Sequence, residues 1–330
     1  MSEAITIVVP VWNGRVLLET LIASLRAQKH PIAEILVVDN GSTDGAAEAA
    51  GQSGARVIRM GSNTGFAHAV NRGIEECSTP RLAIVNSDVE AAPDWLHHLA
   101  AALDESAAWF ATGKILQATD RQLLDGTFDT LSRGGCAWRA GHGRPDGPEF
   151  GVRRRISFPP GTAALFRAEL FRRLGTFDES FESYLEDVEF GLRCAVAGLD
   201  GCYVPDAVAW HRGSATLGRW HPETVRRISR NQVLLVRKHY PISLLLRLAW
   251  PILVGQGLWG LLALQHGAGW PWVRGKLAGL FQTYRRTSDT AVRLRAILNE
   301  SESEILNIQK KTATDSYWRW YFLLTRGGAS

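Results

Sequence analysis

The chain has 330 residues and a mass of 36.3 kDa, room for one large domain or two ordinary ones at roughly 100–200 residues each. Its 45% hydrophobic and 21% charged residues argue against a disordered or collagen-like chain. Four cysteines, Cys77, Cys136, Cys194 and Cys202, show no CxxC spacing, which argues against a zinc ribbon or disulfide scaffold and fits a reducing compartment. The first residues carry neither a basic segment nor a long apolar run, so they read as a first strand and not as a signal peptide. The net charge of +4 hides an asymmetry: residues 1–218 hold 20 Lys and Arg against 27 Asp and Glu, whereas residues 219–330 hold 17 against 6. The C-terminal third is therefore the part suited to phosphate, nucleic acid or an anionic membrane.

In chain order, residues 5–10 (ITIVVP), 34–39 (EILVVD), 55–60 (ARVIRM) and 81–86 (RLAIVN) are short, β-branched apolar runs. Between them, residues 16–28, 45–52 and 66–77 read as helices; Leu17, Leu18, Leu21, Ile22 and Leu25 give the i, i+3, i+4 stripe. Strand–helix alternation with near-continuous apolar strands predicts a mainly parallel sheet with helices on both faces. Ligands of such sheets bind outside the carboxyl ends of the strands. Those ends are Pro10-Val-Trp-Asn13-Gly, Asp39-Asn-Gly-Ser42, Asn63-Thr-Gly65 and Asn86-Ser-Asp88. Asn, Gly, Asp and Ser are ordinary turn formers, but four successive strands ending this way point to a ligand site. Residues 93–103 read as a helix and 134–151 as a mobile loop. Structure resumes at 156–158, 161–166, a helix over 168–174, a helix over 186–197 closed by Gly198, and a strand at 202–204.

Beyond residue 218 the character changes. Residues 223–239 form a basic amphipathic helix, with Arg226, Arg227, Arg230, Arg237 and Lys238 among apolar positions. Residues 248–273 then carry no charged residue, a run long enough for the roughly 20 residues that a bilayer span needs. Pro251, Gly255, Gly257, Gly260 and Pro271 weaken a straight helix, and Trp250, Trp259, Trp270 and Trp272 suit a lipid interface. Arg247 and Arg274 flank the run, and Arg285 and Arg286 follow. Helices lying in or dipping into the cytoplasmic leaflet are the favoured reading. A membrane-embedded segment comes second, and an apolar pair that packs on the protein or in a homo-oligomer third.

The segments VVPVWNG, VVDNGSTDG, NTGFAHAVNRG, NSD, FDESFESYLEDVEFGLR and AWHRGS, in this order over residues 4–215, resemble the inverting nucleotide-sugar glycosyltransferases of family 2. These have the GT-A (Rossmann-like) α/β fold, and the similarity is greatest to the rhamnosyltransferase-like branch that builds surface polysaccharide. Each motif alone is weak; six at compatible spacing are specific. The resemblance implies a GT-A domain over 1–218, followed by a basic, Trp-rich helical region over 219–330. It implies transfer of a sugar, L-rhamnose among the candidates, with inversion from a dTDP- or UDP-sugar to a glycan or polyprenyl-diphosphate-linked acceptor, at the inner face of the cell membrane.

Residue by residue, the resemblance gives nucleotide-sugar contacts to Pro10, Asn13, Asp39, Ser42, Asn63, Gly65, Asn71, Asn86 and Asp88. Asp39 could equally cap the next helix, and so could Ser42. Gly65, lacking a Cβ, would let backbone approach the nucleotide. Asn86-Ser-Asp88 stands where the family usually has Asp-x-Asp; Asp88 keeps a carboxylate for Mg²⁺ or Mn²⁺, while Asn86 offers a neutral oxygen and lowers the charge of the site. His211 would complete the metal site. An inverting transfer needs a carboxylate to take the acceptor's proton, and the family pattern gives that role to Asp187, with Glu186, Gly161 and Thr162 on the acceptor side. Adjacent acids at a helix start also fit plain dipole partners. Glu189 and Arg193 are expected to support Glu186 and Asp187 respectively. Arg153, Arg154 and Arg155 are candidates to screen a diphosphate. A dinucleotide enzyme is disfavoured, because no GxGxxG follows the first strand. The remaining alternative is a non-catalytic scaffold or nucleic-acid binder. Its aromatics are mostly Trp among Leu and not interleaved with Lys and Arg, so no nucleic-acid partner is expected.

Overall fold

The computed structural model describes residues 3–213, 218, 220–284 and 291–326. Ser214 of the last motif, Arg285 and Arg286 lie outside the described residues. The chain divides into two compact units. One comprises Met1–Phe128 with Gly141–Thr216; the other comprises Asp129–Ala140 with Leu217–Ser330. Residues 129–140, read from the sequence as part of the first region, thus group with the second.

Chain order begins β1 (Ile5–Val11), α1 (Arg15–Arg26), β2 (Glu34–Asp39), α2 (Ala46–Gln52), β3 (Arg56–Arg59), α3 (Phe66–Glu75), β4 (Arg81–Val85), β5 (Val89–Ala91) and α4 (Trp95–Asp104). It continues with β6 (Phe110–Gln117), β7 (Leu124–Gly126), β8 (Asp129–Leu131), β9 (Ala137–Arg139), β10 (Arg154–Ile156), β11 (Ala163–Arg167), α5 (Ala168–Leu174), α6 (Glu186–Ala197) and β12 (Gly201–His211). Residues 134–151 are not the mobile loop the composition suggests: β9 lies within them, and Cys136, Ala140 and Phe150 are buried.

In the first unit the strands run in the order β10-β12-β6-β11-β4-β1-β2-β3. β3, β2, β1 and β4 are mutually parallel, as the βαβ alternation requires. Val11, Asp39 and Arg59 stand at one level of the register, so the ends of β1 and β2 are aligned. Beyond β4 the expectation of a mainly parallel sheet needs correction. β11 runs antiparallel between β4 and β6, and β5, β7 and β10 add antiparallel edges; only β6 with β12 is parallel there. Helices no longer separate each successive strand in this half, and antiparallel pairs need no crossover. The sheet is mixed.

Alternation along β1 covers both faces. Ile5, Ile7, Val9 and Val11 are buried with Leu18 and Leu21 of α1 and with Trp95 and Leu99 of α4. On the other face Val8 and Val38 lie under Gly73 of α3, where a Cβ would come within 2.3 Å of Val8 Cγ1. Each such fully buried side chain contributes about 1.5–3 kcal/mol. This two-sided packing fixes the strands whose polar ends form the site.

The second unit holds the β8–β9 hairpin and α7 (Pro222–His239), α8 (Ile242–Arg247), α9 (Ala249–Gln265), α10 (Gly269–Phe281), α11 (Ala291–Lys311) and α12 (Ser316–Arg326). α10 lies close on α7 through Gly275 and Gly279, whose added Cβ atoms would come 2.3 and 2.6 Å from the Arg226 and Arg230 carbonyl oxygens. The hairpin is tied down by Ser301 Oγ accepting from Leu131 N (2.8 Å), and by Glu302, which accepts from the Arg133 backbone and side chain. The long apolar run does not make one helix. It begins at Leu248, the last residue before α9, and breaks at Gly267, which is left-handed (φ 73°). The 17-residue α9 is about 26 Å long at 1.5 Å per residue, short of a bilayer core of about 30 Å. Among the described residues no helix is long and apolar enough to cross a membrane.

Candidate active site

The loops after the parallel strands are knitted to one another by side chains. Asn13, left-handed at φ 59°, accepts from Thr43 N through Oδ1 (2.9 Å), while its own N–H donates to Ser42 Oγ (2.8 Å). Asn tolerates this conformation better than most residues. Asp39, buried at the end of β2, accepts from Ser42 N through Oδ1 (3.0 Å). Neither Asp39 nor Ser42 caps α2, whose first turn is preceded by left-handed Gly45. Pro10 is a strand residue opposite Val38.

Asn40, which the sequence reading passed over, joins the second and third loops. It donates to Asn63 Oδ1 and to the Gly65 carbonyl (both 3.1 Å) and accepts from Thr64 N (2.9 Å). Two of the expected contacts have other local work. A Cβ on Gly65 (φ 95°) would come 3.0 Å from the Glu182 carbonyl, so the close backbone there is protein. Asn71 is buried and bridges α3 to the Phe177 backbone through both ends of its amide, at 2.9 Å each.

Asn86 and Asp88 follow β4, and His211 is the last residue of β12, not a residue beyond it. β5 pairs with β12 so that Val89 stands opposite His211, and Arg212 N donates to the Asp88 carbonyl (3.1 Å). The outcome is a buried imidazole between two carboxylates. Nε2 lies 3.1 Å from Asp88 Oδ1, and Nδ1 lies 2.9 Å from Oδ2 of Asp125, on β7. Burial of the ring opposes its charge, but the hydrogen bonds and charges of Asp125 and Asp88 win and push the pKa up to about 9.

Among the described residues no three His, Cys, Asp or Glu side chains converge as a ready-made cation site; Asp88 and Asp125 address opposite edges of the ring. Asp88 and His211 alone suit a hard divalent ion that completes its shell with substrate phosphate. Their donor atoms are separated by 3.1 Å. The Oδ1 of Asn86 is buried without a hydrogen-bond partner, a neutral oxygen unclaimed by the protein. The donor set therefore fits Mg²⁺ or Mn²⁺.

The opposite side of the site is built on β11 and α6. β11 pairs with β4, and the Thr162 carbonyl accepts from Asn86 N (2.9 Å). The preceding Gly161 donates its N–H to Asp187 Oδ2 (2.8 Å), and Asp187 Oδ1 accepts from Val188 N (2.8 Å). One backbone thread, Gly161–Thr162, thus joins the Asn86-Ser-Asp88 segment to the acid of α6. Glu186 is buried in the first turn. Glu189 and Arg193 belong to the same helix, α6. They pair with each other at 3.0 Å, and Arg193 also donates to the Leu174 and Thr176 carbonyls. Of the three adjacent arginines, Arg153 pairs with Glu105, Arg154 with Glu149 and Arg155 with Asp200.

Residues 6–175 match the family described as Glycosyl transferase family 2, and residues 130–278 match Glycosyl transferase family group 2. The chain belongs to glycosyl transferase family 2. It is a glycosyltransferase, which sets aside the non-catalytic alternative. It is 28% identical over 246 residues, 66% of its own length and 79% of the relative's, to the N-acetylglucosaminyl-diphospho-decaprenol L-rhamnosyltransferase of Mycobacterium tuberculosis. It is 27% identical over 220 residues to the Pre-mycofactocin glycosyltransferase of the same organism, covering 66% of this chain and 44% of that one. Among solved structures, GalNAc-T7 with UDP, GalNAc and Mn²⁺ superposes with a TM-score of 0.62 at 14% identity, over 98% of this chain and 57% of the other. The mannosyltransferase PcManGT of Pyrobaculum calidifontis with GDP-Man and Mn²⁺ gives 0.52 at 17%, over 98% and 87%. At these identities the structures establish the GT-A-like α/β fold.

Proposed function

We propose that this glycosyltransferase moves a hexose, L-rhamnose first among candidates, with inversion from a dTDP- or UDP-sugar to a glycan on a polyprenyl diphosphate. The observation that carries the reading is the thread from Asn86-Ser-Asp88 through Gly161–Thr162 to Asp187, which sets a fixed carboxylate beside the metal motif. The rhamnosyltransferase relative supports the sugar and the lipid-linked acceptor. Asp39 and the 13–42 loop pair would seat the nucleotide. Asp88 and His211 would hold the divalent ion, which supplies positive charge to the departing diphosphate. Asp187, each of whose oxygens has a second lone pair, takes the acceptor hydroxyl proton as that oxygen bonds to the anomeric carbon and the bond to the diphosphate oxygen breaks. Glu186 positions the acceptor.

The second unit supports a peripheral place on the inner face of the cell membrane. Leu246, Trp250, Leu253, Leu264, Trp270 and Phe281 expose large apolar surface on α8–α10, with the exposed Arg247 and Arg274 among them. Such a face lies in the lipid interface without spanning it. The enzyme is assayed against UDP-, dTDP- and GDP-sugars with Mn²⁺, using a polyprenyl-diphosphate N-acetylglucosamine acceptor, and the product anomer is read by NMR. Retained configuration at the anomeric carbon, or turnover confined to GDP-sugars, overturns the reading.

A further inference from the structure

We propose that Asp125 is a positioning residue that acts through His211 to supply the metal site with the carboxylate charge that Asn86 does not. The proposal rests on the reading that Asp88 and His211 hold a divalent ion. Asn86 and Asp88 leave that site one carboxylate short of an Asp-x-Asp pair, and among the described residues no three His, Cys, Asp or Glu side chains converge to make up for it. A second carboxylate is nonetheless present one imidazole away. Asp125 Oδ2 accepts from His211 Nδ1 at 2.9 Å, and this aims Nε2 at Asp88.

The position of Asp125 is fixed from several directions. β7 pairs with β6 on both sides of it, Leu124 opposite Leu116 and Gly126 opposite Ile115. Its carbonyl oxygen lies 2.8 Å from Nδ1 of His142. The loop after His211 closes over it, since a Cβ on Gly213 would come 3.3 Å from Asp125 Oδ1. An ionised carboxylate is costly to bury unless it is paired, and Asp125 is only 8% exposed. A carboxylate on the far nitrogen fixes the tautomer of a ligating imidazole and makes the near nitrogen a stronger donor. Here that effect offsets the neutral oxygen at position 86. A purely architectural ion pair between β7 and β12 would hold the same geometry but would have no link to residue 86. That link is what the test reads.

Mn²⁺ binding is measured by electron paramagnetic resonance on the full-length protein, with melting temperature followed in parallel. Asp125→Asn keeps an acceptor for Nδ1–H and removes the charge; it should weaken Mn²⁺ about 10–100-fold, the usual effect of losing such an outer partner. Adding Asn86→Asp in the same chain should restore most of that loss, because the charge returns as a direct ligand. Asp125→Ser, a second charge-free acceptor, serves if the Asn variant does not fold. An Asp125→Asn or Asp125→Ser protein that binds Mn²⁺ within twofold of wild type overturns the proposal. So does a loss that Asn86→Asp leaves unrepaired, which would mark Asp125 as architectural. Wild-type protein that binds no Mn²⁺ overturns the metal reading itself, and this proposal with it.

Discussion

Replacing Asp187 by Asn tests the assignment of the base most directly. The carboxylate accepts two backbone N–H groups, Gly161 at one oxygen and Val188 at the other, both at 2.8 Å. An amide at this position can satisfy only one of them; its NH₂ would face the other donor. The variant therefore loses the proton acceptor and one loop contact together. Loss of a general base costs roughly 10²–10⁴-fold in rate. Loss of the contact costs about 1–3 kcal/mol of local stability, felt in the Gly161–Thr162 turn and not in the nucleotide loops around Asp39 and Asn63. Transfer, measured by product formation with labelled donor, should fall at least a hundredfold. Nucleotide affinity, measured by calorimetry, should stay within about threefold, since a base acts mainly in the transition state. A variant that keeps more than about a tenth of wild-type turnover would refute the base role. Equal losses in nucleotide affinity and turnover would instead reduce Asp187 to an anchor for the turn.

Asp88→Ala should abolish Mn²⁺-dependent donor binding, with a loss above the 10–100-fold that an outer partner is worth; full activity in EDTA would refute the metal role of both Asp88 and His211. Burial lowers the pKa of Lys276 from 10.5 to about 7, although Gln232 and Gln256 oxygens hold its ammonium at 2.7 and 2.8 Å. At this site the unfolded chain therefore binds more protons than the folded one between pH 7 and 10.5. The Lys276 contribution, read as the difference between wild type and Lys276→Met, should rise with pH across that window and be flat below it, opposite in sign to the loss from the raised His211 between pH 6.5 and 9. At about 1.4 kcal/mol per unit the ceiling is about 5 kcal/mol, and the two amide carbonyls bring the expected rise nearer 1–2 kcal/mol. Urea denaturation of wild type and Lys276→Met from pH 6 to 10 checks this, and a rise that survives in the Met variant would assign it elsewhere. Vesicle flotation should show binding to anionic lipid that weakens with salt, at about 1 kcal/mol per surface cation, but persists through the apolar face. Trp250→Ser with Leu253→Ser should lower that residual binding at least tenfold, on the basis of about 1.5–3 kcal/mol per fully buried side chain; unchanged flotation would refute the docking face.

Legibility in the sequence followed sequence distance. The β1–β4 half was readable because each strand, turn and helix is local; the observed 34–39 strand and the 186–197 helix, closed by left-handed Gly198, match their expected bounds. The antiparallel entry of β11 between β4 and β6 was not readable, because nothing in a five-residue strand records which way its neighbours run. Asp125 was missed for the same reason. Its partner is 86 residues away, and the surrounding Leu-Leu-Asp-Gly-Thr looks like any turn. The three adjacent arginines were not readable as separate pairs, since each guanidinium has a carboxylate distant in sequence or on another element. Asn71 shows that an amide on a motif helix can be wholly engaged by the fold.

The backbone just before α6 and the loop that opens α3 are built together. Glu182, Tyr184 and Leu185 all have left-handed φ values, 58°, 72° and 67°. For residues with a side chain this costs of order 1–3 kcal/mol each, and such a run persists only where its surroundings hold it. Those surroundings are the loop that opens α3. The Glu182 carbonyl accepts from Ala67 N (2.9 Å) and Ser183 Oγ accepts from Phe66 N (3.1 Å), satisfying two of the orphan donors at the start of α3. Gly65 has to be glycine there twice over, for its φ of 95° and for the Glu182 backbone against it. Leu185, left-handed, then turns the chain into α6, so that Glu186 and Asp187 open the helix. The strain is thus borne by the segment that caps α3 and leads into Glu186 and Asp187, and relaxing it would unseat both at once.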